Sequence, residues 1–277
     1  MIKKLRAVVA DVDGTLALKG GRLMPKTFAA IEKLHQEGIL FGIASGRPLC
    51  GWMLSQAERW GLSFPFDMAI GMNGGDLYDK KDGLIEHYYP LAPETIRSIL
   101  TFLKGQDINA MVYRKGYDLI YALRMDEVMA ASQKRNHSIV QLGDIGLLSE
   151  YPTGKIEVSY MPGKDNEIDA LIKANQSSSW KAVHTFQGTV EFVDPRVNKS
   201  ISLMKYAEKN RIALNEIMAF GDQENDLEML YTSGWGVCLK NGCEACKKAA
   251  DAVTEFSVTE DGFGKYLKMH WFQDNLQ

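Results

Sequence analysis

The chain has 277 residues, of which 45% are hydrophobic and 24% are charged, and its formal net charge is −3 at pH 7. This length suffices for one large domain or two ordinary ones, and the composition is that of a globular protein. The negative charge gives no support to a nucleic-acid-binding surface. Asp11 and Asp13 interrupt the N-terminal apolar run, and no other apolar run could cross a bilayer. We therefore expect a cytoplasmic monomer or weak homodimer, with no nucleic-acid or membrane partner.

Short apolar runs alternate with helical patterns in the first eighty or so residues, which is typical of an α/β architecture. The patterns predict buried strands, helices and, around Asp82-Gly83, a β-hairpin. The strands are predicted at Leu5–Ala10, Ile39–Ala44 and Met68–Met72, and the helices at Pro25–Gln36 and Leu49–Trp60.

The middle of the chain has a different pattern, with paired strands and fewer βα alternations. Helices are predicted at Pro93–Lys104, Met125–Arg135 and Asp165–Asn175. Strands are predicted at Asn109–Arg114, Asp118–Leu123, Lys155–Met161, Lys181–Phe186 and Thr189–Val193, and a loop at Gly143–Gly154. This order indicates a mixed α+β domain.

After Pro195 the βα alternation returns. Helices are predicted at Ser200–Asn210, Leu227–Thr232 and Glu244–Ala250, and strands at Ile217–Phe220, Trp235–Leu239 and Ala252–Thr254. We therefore expect an α/β protein with a doubly wound, Rossmann-like core that is interrupted by an inserted α+β domain. The core is predicted to comprise residues 1–82 and 195–277, and the insert residues 83–194.

Polar clusters follow the predicted core strands at the point where each strand ends. They are Asp11-Val12-Asp13-Gly14, Ala44-Ser45-Gly46-Arg47, Asn73-Gly74, Gly221-Asp222-Gln223-Glu224-Asn225-Asp226 and Asn241-Gly242. The carboxyl ends of parallel strands form the ligand-binding edge of an open α/β sheet. Five clusters at one edge indicate a functional site, although any one of them alone could be a turn.

The residue types in these clusters indicate phosphate and metal chemistry. Asp11 and Asp13 stand one residue apart at a strand end, and we expect them to point in different directions, so that one can attack while the other transfers protons. Ser45 and Gly46 offer a hydroxyl and a backbone N–H to phosphoryl oxygens. Several carboxylates would lie close together at this edge of the sheet. They belong to Asp11, Asp13 and Asp222, and also to Asp226 if it lies close enough. Such crowding favours a hard divalent cation, most simply Mg²⁺, and the five scattered histidines argue against zinc.

With these motifs in order, the sequence resembles the haloacid dehalogenase-like superfamily, and within it the Cof-type hydrolases with a type IIB cap. Asp11–Thr15 matches the first motif, Ser45 the second, Lys199 the third and Gly221–Asp226 the fourth. The resemblance covers nearly the whole chain. It implies a phosphatase that hydrolyses a small phosphorylated metabolite, such as a sugar phosphate, a nucleotide or a cofactor phosphate.

The resemblance also implies roles for the first and fourth motifs. Asp11 is expected to attack phosphorus and to be transiently phosphorylated, whereas Asp13 acts as general acid and then as general base. Mg²⁺ is expected to be held by Asp11, by the backbone carbonyl of Asp13 and by Asp222.

The remaining motif residues are expected to bind the phosphoryl group. Ser45, Gly46, Lys199 and Asn225 form this predicted phosphate-binding set, with Lys199 also orienting Asp11. Asp226 is expected to support the metal shell. By itself Lys199 would be interpreted as a solvated lysine at a helix start, and its role depends on the resemblance.

Two alternatives remain open at this stage. A phosphomutase or phosphotransferase would use the same Asp11 and Asp13, and a non-catalytic phospho-acceptor regulator would use Asp11 alone.

The inserted domain is expected to close over the site and to select the substrate. The candidate residues for this selection are Tyr113, Arg114, Lys155 and His184. Lys240 is interpreted as solvent-facing, and Cys243 and Cys246 as idle thiols, because a zinc site needs further ligands nearby.

Overall fold

The computed structural model describes residues 2–272, and only the backbone at Lys115, Arg135, Asn136 and Phe186. The described residues form two compact units. The first comprises the chain up to Leu49, Met53–Glu86 and the chain from Asn198 onwards, and the second comprises Cys50–Trp52 and His87–Val197. In the described part of the chain, no helix has the length and apolar character that crossing a membrane requires.

The strands, in chain order, are β1 Ala7–Asp11, β2 Leu40–Ala44, β3 Met68–Gly71, β4 Asp76–Asp79, β5 Leu84–His87, β6 Ile108–Arg114, β7 Leu119–Ala122, β8 Ile139–Leu142, β9 Ile156–Tyr160, β10 Lys181–Phe186, β11 Thr189–Val193, β12 Ile217–Gly221, β13 Trp235–Cys238 and β14 Ala252–Val253. The α-helices are α1 Pro25–Gln36, α2 Gly51–Leu54, α3 Gln56–Arg59, α4 Pro93–Phe102, α5 Glu127–Asn136, α6 Ile145–Leu148, α7 Asp165–Ala174, α8 Lys199–Asn210, α9 Leu227–Thr232, α10 Glu244–Ala249 and α11 Gly262–His270.

The first sheet has the strand order β14-β13-β12-β1-β2-β3-β4-β5. From β14 to β3 all neighbours are parallel, and β4 runs antiparallel to β3. β1 lies between β2 and β12, and all five of its residues are buried. In register, Asp11 lies beside Ala44 of β2. The polar residues that follow β1, β2 and β12 therefore emerge at one edge of the sheet, as the βα alternation predicts.

Helices of the first unit pack in pairs, α1 with α11 and α8 with α9. Gly264 of α11 lies so close to the backbone of Lys26 and Thr27 that a Cβ there would collide with it. Asp261 accepts the N–H groups of Lys26 and Thr27, both at 2.7 Å. The first turn of α1 is thus capped by a carboxylate from the far end of the chain, because the residue before it, Met24, offers no side-chain cap.

The second unit contains a six-stranded sheet with the order β10-β11-β9-β6-β7-β8, antiparallel except between β7 and β8. Alternate residues of the central strands point into one apolar core, and α4, α6 and α7 contribute to the same core. Its members include Ile99, Val112, Val158 and Phe192. On the other face of the sheet, Ser132 of α5 lies against Met111. The second unit is thus a sheet with helices packed on it, which is the predicted α+β layout.

Three short stretches and the nine-residue helix α11, for which no element was predicted, differ from the sequence-based expectations. The predicted helix Leu49–Trp60 is two separate turns, α2 and α3, interrupted at Ser55. The predicted loop Gly143–Gly154 contains α6, which is capped by Asp144, whose carboxylate accepts the N–H of Leu147 at 3.0 Å. Strand β8 was not predicted. A helix of four residues is too short for its periodicity to be read from the sequence.

Candidate active site

The side chain of Lys199 is fully buried in the first unit between two carboxylates. Its Nζ lies 2.6 Å from Asp11 Oδ1 and 2.5 Å from Asp226 Oδ1. Asp11 ends β1, Lys199 begins α8, and Asp226 belongs to the turn after β12. Burial alone would lower the pKa of Lys199, but the two carboxylates outweigh it and raise that pKa above its usual value. The ammonium group is therefore permanently charged and holds two strand ends together.

Asp11, Asp222 and Asp226 form a buried carboxylate cluster, in which one oxygen of each lies within 4.8 Å of the others. Burial raises the pKa of Asp11 to about 8, with Lys199 opposing and the charges of Asp226 and Asp222 adding to the rise. Burial also raises the pKa of Asp222. With all four groups ionised, as metal binding requires, three carboxylates and one ammonium have a formal charge of −2. One divalent cation would neutralise this charge, and the all-oxygen donor set fits Mg²⁺.

Asp226 has both carboxylate oxygens engaged within the protein. Oδ1 accepts from Lys199, and Oδ2 accepts the backbone N–H groups of Asp222 at 2.9 Å and Gln223 at 3.0 Å. Asp226 thus braces the turn that follows β12. Asp11 and Asp222 remain as the carboxylates with capacity for a metal ion, and Asp222 is oriented by Thr15, whose hydroxyl donates to it at 2.7 Å.

Asp13 lies outside this cluster. The reason is that β1 ends at Asp11 and the chain turns after it, since a continued strand would place residues 11 and 13 on the same face. Its carboxylate is about a third exposed and receives Nη2 of Arg47 at 2.6 and 2.8 Å. In the sequence Arg47 stands two residues after Ser45, but nothing local indicated that it would pair with Asp13. The structure therefore supplies two separate acidic groups at one strand end, one buried beside a lysine and one accessible beside an arginine.

The predicted phosphate-binding residues lie on adjoining loops of the same unit. Ser45 is buried, and its Oγ accepts the N–H of Arg47 at 3.2 Å. The N–H of Asn73 donates to the carbonyl of Ser45 at 3.1 Å, and Asn225 Nδ2 donates to Asn73 Oδ1 at 3.0 Å. Asn73 was noted in the sequence only as part of a strand-end turn. It links the Ser45 loop to Asn225.

Two further loops, which contain Gly14 and Asn241, lie beside the carboxylate cluster. Gly14 has a φ of +101°, and a Cβ at this position would lie 2.5 Å from an oxygen of Asp222, so glycine is required there. Asn241 Nδ2 donates to the carbonyl of Gly14 at 2.8 Å. The N–H of Cys243 donates to the carbonyl of Asp222 at 2.8 Å.

All four cysteines are free thiols. Lys240 is more than half exposed, and its Nζ lies 3.8 Å from a carboxylate oxygen of Glu260.

The chain belongs to the haloacid dehalogenase-like hydrolase family, whose model matches residues 8–267. The 5-amino-6-(5-phospho-D-ribitylamino)uracil phosphatase YitU of Bacillus subtilis is 24% identical over 273 residues, which cover 95% of this chain and 97% of that protein.

Solved structures show the same fold. A haloacid dehalogenase-like hydrolase from Bacteroides thetaiotaomicron aligns with a TM-score of 0.83 at 22% identity, over 95% of this chain and 98% of the other. The subclass IIB sugar phosphatase BT4131 aligns with a TM-score of 0.78 at 22% identity, over the same shares. The predicted family and the predicted fold class are confirmed. The predicted enzyme class, a phosphatase, is also confirmed.

Proposed function

We propose that the chain is a Mg²⁺-dependent phosphomonoester hydrolase that acts on a small phosphorylated metabolite through an aspartyl-phosphate on Asp11. The observation that carries this proposal is the buried contact of Lys199 with Asp11, beside the carboxylate of Asp222. A charge cluster of this kind is costly to bury and is typical of functional sites rather than of stabilising ones.

In the first half of the reaction, a carboxylate oxygen of Asp11 attacks phosphorus and the bond to the leaving oxygen breaks. Asp13 gives its proton to that oxygen. In the second half, Asp13 takes a proton from water, the water oxygen attacks the phosphoryl group, and inorganic phosphate leaves with Asp11 regenerated. The separate environments of the two aspartates support this division of labour.

We assign the phosphoryl group to a set of donors on adjoining loops: the hydroxyl of Ser45, the N–H of Gly46, the ammonium of Lys199 and the amide of Asn225. Lys199 also fixes one oxygen of Asp11, which leaves the other carboxylate oxygen for attack. Donors held in place before the reaction stabilise the charge that develops on the transferring group.

We assign Mg²⁺ to Asp11, the backbone carbonyl of Asp13 and Asp222, with Asp226 as the group that braces the Asp222 turn. When bound, the cation would neutralise charge on the phosphoryl oxygens. The formal charge of −2 on the cluster and its oxygen donors support this choice.

The substrate class is supported by the relatives. One is named for a phosphoribitylamino-uracil and another is named as a sugar phosphatase. We therefore propose a small metabolite that carries one phosphomonoester. The site residues of the first unit bind phosphate and metal, so we assign the choice of metabolite to the second unit.

The test is a phosphate-release assay with an aryl phosphate and a panel of sugar, nucleotide and cofactor phosphates, each with Mg²⁺ and with a chelator. The wild type is expected to turn over several members only with Mg²⁺. Asp11→Asn is expected to abolish turnover while its circular dichroism stays that of the wild type. Near-normal turnover by this variant would contradict the assignment of Asp11 as the nucleophile.

The same panel separates the alternative reactions. Transfer of phosphate to an added sugar hydroxyl in preference to water would favour a phosphotransferase. Failure to release phosphate from any member, with Mg²⁺ present, would favour a phospho-acceptor regulator.

A further inference from the structure

The segment Met72–Gly74, which follows β3, has an unusual backbone. Its three residues have φ angles of +50°, +54° and +101° in succession. Two of them are not glycine, and L-residues adopt this left-handed region at a cost. Such a conformation persists only where the surroundings impose it. The contacts of the segment therefore have to explain it.

The segment touches two of the loops that form the site. The N–H of Met72 donates to the carbonyl of Arg47 at 2.9 Å, and that of Asn73 to the carbonyl of Ser45 at 3.1 Å. Gly74 lies against the carbonyl of Asn198, directly before Lys199, so closely that any Cβ would collide with it. The strained backbone thus ties the Ser45 loop to the start of α8.

The side chain of Asn73 reaches a third loop. Its Oδ1 accepts from Asn225 Nδ2 at 3.0 Å. Its carboxamide also lies over Gly46, where a Cβ would sit 3.1 Å from Oδ1 and 3.2 Å from Nδ2. The carboxamide therefore occupies the space above one predicted phosphate donor and holds the amide of another.

We propose that Asn73 is a positioning residue of the phosphate site, which orients the Asn225 amide and the Gly46 backbone toward a bound phosphoryl group. This inference rests on the proposed function, because it assigns Asn73 to the same anion. A residue that only formed the turn would need its backbone conformation and not its amide. The two roles can therefore be separated by keeping the backbone and removing the side chain.

The test variant is Asn73→Gly, since glycine adopts the left-handed backbone without strain. The KM for an aryl phosphate and the inhibition constant of inorganic phosphate are both expected to rise roughly tenfold, the size of one lost oriented hydrogen bond. The matched control is Arg211→Gly. Arg211 also has a left-handed φ, +52°, but lies at the other end of α8. Its kinetics are expected to match the wild type.

A double-mutant cycle shows whether Asn73 acts through its neighbour. Relative to Asn225→Ala, the double variant Asn73→Gly/Asn225→Ala is expected to raise the inhibition constant of phosphate by much less than tenfold, because the partner amide is already lost and only the contact over Gly46 remains. Fully additive effects, or an Asn73→Gly variant with wild-type phosphate inhibition, would overturn the proposal.

Two further variants cover the cases in which Asn73→Gly does not fold or the proposed function itself is wrong. If Asn73→Gly does not fold, Asn73→Asp takes its place, because aspartate tolerates this backbone and still accepts from Asn225. Its negative charge beside Gly46 is expected to weaken phosphate inhibition, and unchanged inhibition would contradict the proposal. Asp11→Asn is assayed alongside. If it stays active, the proposed function fails; if it is dead while the Asn73 variants behave as wild type, only this inference fails.

Discussion

Each of the two units buries one lysine against carboxylates, and the two clusters differ in charge and place. Lys199 of the first unit contacts Asp11 and Asp226, with Asp222 close by. Lys155 of the second unit lies 2.6 Å from Glu191 and 4.0 Å from Glu157. The Lys199 cluster lies where parallel strands end, whereas Glu191 and Glu157 are register partners inside an antiparallel sheet.

This difference indicates how a structural ion pair can be distinguished from a charge cluster that serves a reaction. The Lys155 cluster joins neighbouring strands β9 and β11, and its members already find partners in the sheet. The Lys199 cluster carries one more negative charge and lies at a sheet edge lined by glycine and backbone N–H groups. An excess of buried charge at a strand-end loop calls for an external ligand, whereas a cross-strand pair does not.

The largest effect is expected from Lys199→Met. It removes the positive charge from three buried carboxylates and from the predicted phosphate site, so turnover of an aryl phosphate should fall by roughly 10³-fold, as when a key electrostatic donor is lost. Steady-state kinetics with Mg²⁺ measure this. A variant that retains more than a tenth of wild-type turnover would contradict the assignment of Lys199.

Lys155→Met is the matched change in the other unit. It leaves Glu191 buried and unpaired, so the free energy of unfolding should fall by about 3–5 kcal/mol, measured by urea denaturation. Turnover of a small aryl phosphate should change little, and the double variant Lys155→Met/Glu191→Gln should recover much of the stability. Abolished aryl phosphate turnover in a folded Lys155→Met protein would erase the contrast between the two lysines.

When the metal is removed, the stability of the folded state should depend on pH, because the Lys199 cluster then has no cation to balance its excess negative charge. In a chelator, folded Asp11 keeps its proton up to about pH 8, whereas the unfolded carboxyl loses it near its usual pKa of 3.8. The folded state therefore binds more protons in between, so stability is full below the unfolded pKa and is lost as pH rises toward the folded one.

The measurement is urea unfolding at several pH values between about 5 and 8, in chelator and in Mg²⁺. Saturating Mg²⁺ at 100 times its Kd should restore about 2.7 kcal/mol at the upper end. Asp11→Asn should flatten the slope seen in chelator. A wild type whose stability in chelator rises over this range would contradict the excess negative charge.

The smallest effect is expected from Lys240→Ala. The side chain is mostly exposed, and its nearest carboxylate is 3.8 Å away, so stability should change by less than about 0.5 kcal/mol and turnover should stay at the wild-type level. Loss of turnover of one particular metabolite, with aryl phosphate unaffected, would instead assign Lys240 to substrate choice.

Much of the fold was predictable because its signals are local. Apolar runs predicted β1, β2, β3 and β12, and their alternation with helices predicted the parallel core. The break between α2 and α3, the helices α6 and α11 and the strand β8 were not predicted, and a helix of four residues is too short for its period to be read. The cap of α1 by Asp261 could not be predicted either, since the two lie more than 230 positions apart in the chain.

Sequence by itself determined which residue types stand at the strand ends, and so predicted Asp11, Asp13, Ser45 and Asp222 as site candidates, whereas Lys199 became a candidate only through the family resemblance. Only the tertiary structure decided their partners. Lys199 meets Asp11 across 188 positions and Asp226 across 27. Arg47 turned out to hold Asp13, and Asn73 to hold Asn225. The physical reason is that hydrophobic periodicity records which side of an element is buried, whereas partners depend on strand order and register, which bring distant residues to one edge.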